Sequence, residues 1–194
     1  IWAGSSIAGV TIGGATVNAT GAVNISNLTL TSGYLGGAGT ITVTDTFNWT
    51  GGTLLNATNF TTSNTATSTL GAGFYLKESG GTTSVWNNYG VIDWNGSSVG
   101  TGMQYYDDFY IDGAAVLNNF GTFNDNTTTV TASAYSNLGT SGHTAAVINN
   151  SGTWNKTGTG PKTATRGTSF NNTGTVNVSN GTFDLTTGGT DTGN

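Results

Sequence analysis

The chain has 194 residues, with 32 glycines, one proline and no cysteine, and only 7% of its residues are charged, against roughly 25% in an average soluble protein. A net charge of −5 carried with only four basic residues excludes nucleic acid and anionic membrane surfaces as partners, since both are held by clustered Lys and Arg. The lack of cysteine excludes disulfides, thiolate metal sites and cysteine nucleophiles. No apolar run is long enough for a membrane-spanning helix.

Ile1-Trp2 already reads as strand, with no initiating Met and no signal peptide. The expectation is a processed chain or a fragment of a larger secreted protein. No window places apolar residues at helical spacing, so helices are not expected. From Val17 to Leu55 the chain reads as strand, Gly-rich turn, strand, turn. Residues 27–31 (NLTLT) and 40–44 (TITVT) alternate with period two, and Gly36-Gly37 and Gly51-Gly52 punctuate them, as turns do between strands. Apolar residues thin out over Thr62–Thr69 (TSNTATST), where a weak break is expected.

A phrase then returns four times: Asn-Asn-x-Gly, Thr or Val, a large apolar residue, Asn or Asp. Its copies begin at Asn87 (NNYGVID), Asn118 (NNFGTFN), Asn149 (NNSGTWN) and Asn171 (NNTGTVN). The first three starts are evenly spaced, and the fourth follows after a shorter interval. A fixed period of roughly 20–50 residues marks a stacked repeat. The apolar pairs Val85-Trp86, Val116-Leu117 and Val147-Ile148 precede three of the copies. Ile92, Phe123, Trp154 and Val176 occupy the same place after each first Asn. Stacked coils place like on like, so these residues should form apolar ladders inside, each coil completing the core of its neighbour. Asn87, Asn88, Asn118, Asn119, Asn149, Asn150, Asn171 and Asn172 should stack as amide ladders, which stabilise parallel strands. The fold expected is all-β: a right-handed parallel β-helix, or β-solenoid, running as one continuous array over residues 1–194. About nine rungs of roughly 22 residues would make it about 43 Å long. The excess in the two longer units is placed at Gly102–Asp112 and Ala132–His143, on one face, and such a face is often used for binding.

The strings GTITVTDTFNWTGGTL (39–54) and FNNTGTVNVSNGTF (170–183) resemble repeats of large secreted bacterial adhesins and autotransporter passengers, the filamentous-haemagglutinin type of parallel β-helix. The resemblance spans most of the chain through degenerate motifs. It implies secretion and a surface role, and it carries no catalytic residues.

The segment from Tyr105 to Asp112 holds the densest chemistry. Asp107, Asp108 and Asp112 are candidate oxygen ligands for Ca²⁺, although their spacing is not that of a calcium loop. Tyr105, Tyr106, Tyr110 and Tyr135 are candidate stacking platforms for sugar rings, flat and apolar with a polar edge. A solvated acidic loop whose tyrosines pack on the flank explains the same residues. A polysaccharide-degrading enzyme needs paired carboxylates or a base such as Lys156, Lys162 or Arg166, and no such pairing is readable here. No catalytic residue is assigned, and His143 stands alone in a polar segment. The reading is therefore an extracellular or cell-surface structural and adhesive solenoid without a cofactor. Its partner would be itself, by end-to-end stacking or through neighbouring repeats, with surface glycans as a further partner.

Overall fold

A computed structural model describes residues 4–71, 73–96, 107–128, 132–135, 146–160 and 162–194. The described secondary structure is strand only, in chain order. Three long strands come first: β1 (Ser5–Asn18), β2 (Val23–Trp49) and β3 (Thr53–Thr62). Short strands follow: β4 (Thr67–Leu70), β5 (Phe74–Lys77), β6 (Val85–Asn88), β7 (Val91–Trp94), β8 (Asp107–Asp112), β9 (Val116–Asn119) and β10 (Thr122–Asp125). The last seven are β11 (Ala132–Tyr135), β12 (Ala146–Asn150), β13 (Thr153–Lys156), β14 (Lys162–Arg166), β15 (Thr168–Asn172), β16 (Thr175–Val178) and β17 (Thr182–Asp184).

Every pairing between named strands is parallel and joins a strand to one a coil away. The result is a parallel β-helix with three faces. The first face carries β6, β9, β12 and β15 above residues 60–62 of β3. The second stacks β4, β7, β10, β13 and β16 above residues 46–49 of β2. The third stacks β5, β8, β11, β14 and β17 above residues 53–55 of β3. In the first half of the chain β1, β2 and β3 bend round corners, so one strand serves several faces.

On the second face the stations are residues 9–12, 27–30, 46–49, 67–70, 91–94, 122–125, 153–156 and 175–178. Eight stations at about 4.8 Å span roughly 34 Å. The first face adds a ninth at its C-terminal end, where Asn172 bridges Asp191 in parallel, so the rung count agrees with that expected even though coil length varies. The register step is short between Val10 and Leu28, long between Ile92 and Phe123, and intermediate between Trp154 and Val176.

The long segments also differ in detail from the sequence reading. Much of each is strand of the third face: β8 pairs with β11, with Asp107 opposite Ala132, a shorter step along the chain than separates Asn87 from its partner Asn118. Excess residues therefore enter before the third-face strand in one coil and after it in the next. Both stretches adjoin the same face.

Alternation along the short strands is strict, one side chain in and the next out. Inward on the first face run Ile41, Phe60, Trp86, Leu117, Ile148 and Phe170, each the register partner of the next and all buried. The second face supplies Phe47, Ile92, Phe123 and Trp154 to the same core, with Phe123 lying flat on Trp154 at 3.8 Å and 3°. Burying a side chain of this size contributes about 1.5–3 kcal/mol. No coil does so alone, because the atoms each ring touches belong to the rungs above and below.

The glycine of the repeated phrase is required by backbone approach. A Cβ on Gly121 would sit 2.1 Å from the Gly90 carbonyl oxygen, one on Gly152 2.0 Å from that of Gly121, and one on Gly174 2.1 Å from that of Gly152. Stacked corners pack carbonyl over Cα, which leaves no room for a side chain.

Candidate functional site

The asparagine pairs divide between the two sides of the wall. The second Asn of each pair ends its strand pointing inward, and Asn88, Asn119, Asn150 and Asn172 are all buried. Their amides form one continuous chain. Thr62 Oγ1 donates to Asn88 Oδ1 at 2.8 Å, Asn88 Nδ2 to Asn119 Oδ1 at 2.8 Å, Asn119 Nδ2 to Asn150 Oδ1 at 2.7 Å, and Asn150 Nδ2 to Asn172 Oδ1 at 2.8 Å. Asn172 Nδ2 ends the chain on the Asp191 carboxylate at 3.0 Å. The remaining amide hydrogens turn to backbone carbonyls, from Asn119 to Thr153 and from Asn150 to Thr175. A carbonyl accepts and never donates, so these contacts fix which way each amide faces. Such chains polarise one another in a low dielectric.

The first Asn of each pair points outward and is half-buried. Here donation runs the other way: Asn118 Nδ2 to Asn87 Oδ1 and Asn149 Nδ2 to Asn118 Oδ1, both 2.9 Å, and Asn171 Nδ2 to Asn149 Oδ1 at 3.0 Å. The backbone N–H of Thr190 donates to Asn171 Oδ1, which fixes that orientation. A third ladder runs up the second face from Asp93 through Asn124 and Asn155 to Asn177. These are structural contacts, satisfied within the wall.

Exposed aromatic surface lies on the third face. Tyr34, Thr53, Tyr75 and Tyr110 are successive register partners, with Tyr135 next along the backbone. The Tyr75 and Tyr110 rings stack at 4.5 Å and 10°, and Tyr34 is 47% exposed. A hollow of about 280 Å³ opens between Tyr34 and Tyr75 over Thr53. A second, of about 430 Å³, shares Tyr34 and Leu55 with it and lies toward the neighbouring corner, beside Asn18 and Asn56. Asn56 takes a left-handed backbone conformation, φ 51°, at this corner, which Asn tolerates better than most residues. Its Oδ1 accepts from the Ser79 N–H. A separate exposed pair, Tyr89 and Phe120, stacks at 4.8 Å and 15° in the variable position of the repeated phrase.

Of the residues named from sequence, Tyr110 belongs to the third-face row. Tyr135 shares its register, although only its backbone is described. Tyr105, Tyr106 and His143 lie outside the described residues. The Asp112 carboxylate pairs with Lys77 at 3.1 Å. Asp107 and Asp108 sit on β8, with side chains outside the description. Among the described residues no three of His, Cys, Asp and Glu converge as metal ligands.

Lys156 faces the core. It is fully buried, donates to the Gly158 carbonyl at 2.9 Å, and is the register partner of buried Asp125. The Asp125 carboxylate accepts from the N–H and hydroxyl of Thr127 and from the hydroxyl of Thr163. Lys162 is ion-paired with Asp184.

Sequence reasoning missed Tyr34, Tyr75, Tyr89 and Phe120. A signal existed for the first two. The dipeptides Tyr34-Leu35, Tyr75-Leu76 and Tyr110-Ile111 repeat an outward aromatic beside an inward aliphatic. Compared with known proteins, the chain matches no family model, no curated protein and no solved structure.

Proposed function

We propose that this chain is a structural and adhesive β-solenoid of an extracellular or cell-surface protein. It acts as a stiff shaft whose natural partner is more of the same fold, from neighbouring repeats or from a second copy stacked end to end. The observation that carries this reading is the set of amide ladders running along the axis, one of them wholly buried. They commit the paired asparagines of the repeated phrase to holding coil to coil. Low charge favours the same role, since coils with few charges repel one another little. Electron microscopy of the purified chain at several concentrations, with and without calcium, tests it. Rods or fibres of constant width support the shaft. Compact particles at every concentration, with backbone amides that exchange rapidly in deuterium, refute it. Fibres that need calcium would point to Asp107, Asp108 and Asp112 as ligands.

A carbohydrate-binding role is the second reading, supported by the exposed stack of Tyr75 on Tyr110. Aromatic faces aligned along a rigid axis offer a sugar chain repeated apolar platforms. Retention on immobilised polysaccharides tests it, and a chain that elutes with the void volume on every neutral and acidic matrix rules it out.

A further inference from the structure

We infer that the gap at Thr53 in the tyrosine row is a subsite for one neutral pyranose unit, with the adjoining hollow at the corner taking the next unit of the same glycan. The inference rests on the carbohydrate reading and gives it a location, a stoichiometry and a charge preference.

The row itself sets the geometry. Tyr75 and Tyr110 are register partners on adjacent rungs and their rings stack at 4.5 Å and 10°. These two rings therefore lie across the axis, on adjacent rungs. Thr53 occupies the next rung down and has no ring, while Tyr34 stands on the rung beyond. Two rungs separate Tyr34 from Tyr75, about 9.6 Å. The space left by the missing ring is the hollow of about 280 Å³.

Size selects the occupant. A flat ring between two others needs about 7–8 Å, two carbon contacts of about 3.5–4.0 Å. A pyranose chair is thicker and takes up the remainder. Its C–H faces meet the two aromatic faces, and its hydroxyls project sideways, where polar groups stand. Thr53 forms the floor at 8% exposure, and Ser79 lies at the rim. Toward the corner the second hollow offers Asn18, Asn56, Thr16 and Thr82, amides and hydroxyls suited to a second sugar. Apolar platforms joined to a few polar groups are what small-molecule sites are built from.

Charge selects a neutral glycan. Lys77, the cation at the rim, is already paired with Asp112. The net charge of −5 repels uronates and sulfated sugars.

A glycan array probed with the full chain, followed by calorimetry on neutral hexose oligosaccharides, supplies the test. Tyr34→Ala and Tyr75→Ala each remove a wall and should weaken binding about tenfold. Thr53→Tyr completes the aromatic row and fills the gap. It should abolish binding while the variant melts at or above the parent temperature. If Thr53→Tyr does not fold, the two alanine variants decide. Retention of parental affinity by the folded variants overturns the subsite and leaves sugar binding to another surface, such as Tyr89 and Phe120. Preference for anionic glycans, or binding of phenol and indole without any saccharide, also overturns it. No binding to any glycan removes the subsite and the carbohydrate reading together, and does not touch the shaft.

Discussion

Asn119 stands midway along the buried amide chain, and its replacement by alanine gives the sharpest test of how the solenoid is held. The Asn119 amide accepts from Asn88 Nδ2 at 2.8 Å and donates to Asn150 Oδ1 at 2.7 Å and to the Thr153 carbonyl at 3.1 Å. Alanine removes all three bonds at a position with no exposure. Asn88 Nδ2 keeps its contact to Gly90 O at 3.2 Å, but Asn150 Oδ1 loses its donor in a place water does not reach. A buried polar group left without a partner costs about 1–3 kcal/mol. With two disturbed amides, a carbonyl short of a donor and the void of the lost side chain, the sum is about 3–5 kcal/mol. Asn118→Ala is the internal control. It breaks two bonds of 2.9 Å on the outer ladder, where water substitutes, and costs about 1 kcal/mol or less. Equilibrium urea unfolding of the two variants, followed by tryptophan fluorescence, measures the difference. Equal losses for Asn118→Ala and Asn119→Ala would refute the argument that burial sets the worth of these amides.

Gly121→Ala drives a Cβ to 2.1 Å from the Gly90 carbonyl and should destabilise by about 3 kcal/mol or prevent folding; circular dichroism and solubility at expression report it. Lys156→Met leaves the buried Asp125 carboxylate without its neighbouring cation. It also leaves the Gly158 carbonyl without its 2.9 Å donor, a loss of about 1–3 kcal/mol. Asp125→Asn/Lys156→Met removes the remaining buried charge and should recover part of that loss in the same urea assay. The double replacement Tyr89→Ser/Phe120→Ser exchanges a stacked pair that is 49% and 45% exposed and should shift stability by about 1 kcal/mol; a loss of several kcal/mol in urea unfolding would mean the pair is covered in solution.

Period and alternation made the stacking legible, because a parallel coil repeats its register at the spacing of its sequence. Ile92, Phe123 and Trp154 fall inside for that reason. The division of each asparagine pair was not legible. Hydropathy puts both Asn residues at the surface, and only the chain of amide partners makes the inner position tolerable. The first half was harder to read, since its shorter coils turn their corners through glycine without the Asn-Asn marker. The third face was obscured for a different reason. Aligning coils on their asparagines hides a strand such as β8, whose step to its partner is shorter than that of the asparagines themselves. Lys156 misleads for the opposite reason to asparagine: a lone cation in a polar stretch reads as surface, yet its strand position carries it into the core. Tyr34 and Tyr75 were passed over because they lie far apart in sequence and become part of a row only when coils stack.

The glycines, amides and apolar rungs recur at identical positions in the longer coils, and each coil presents to the next the same contacts it receives from the last. A coil of this kind is a closed unit of heredity as well as of structure. Duplicating one in frame would add about 4.8 Å of length while leaving no donor, acceptor or void that its neighbours do not already meet. Deleting one would heal the same way. Reach thereby becomes a quantity that recombination can adjust in single steps, without the compensating substitutions that a globular core demands.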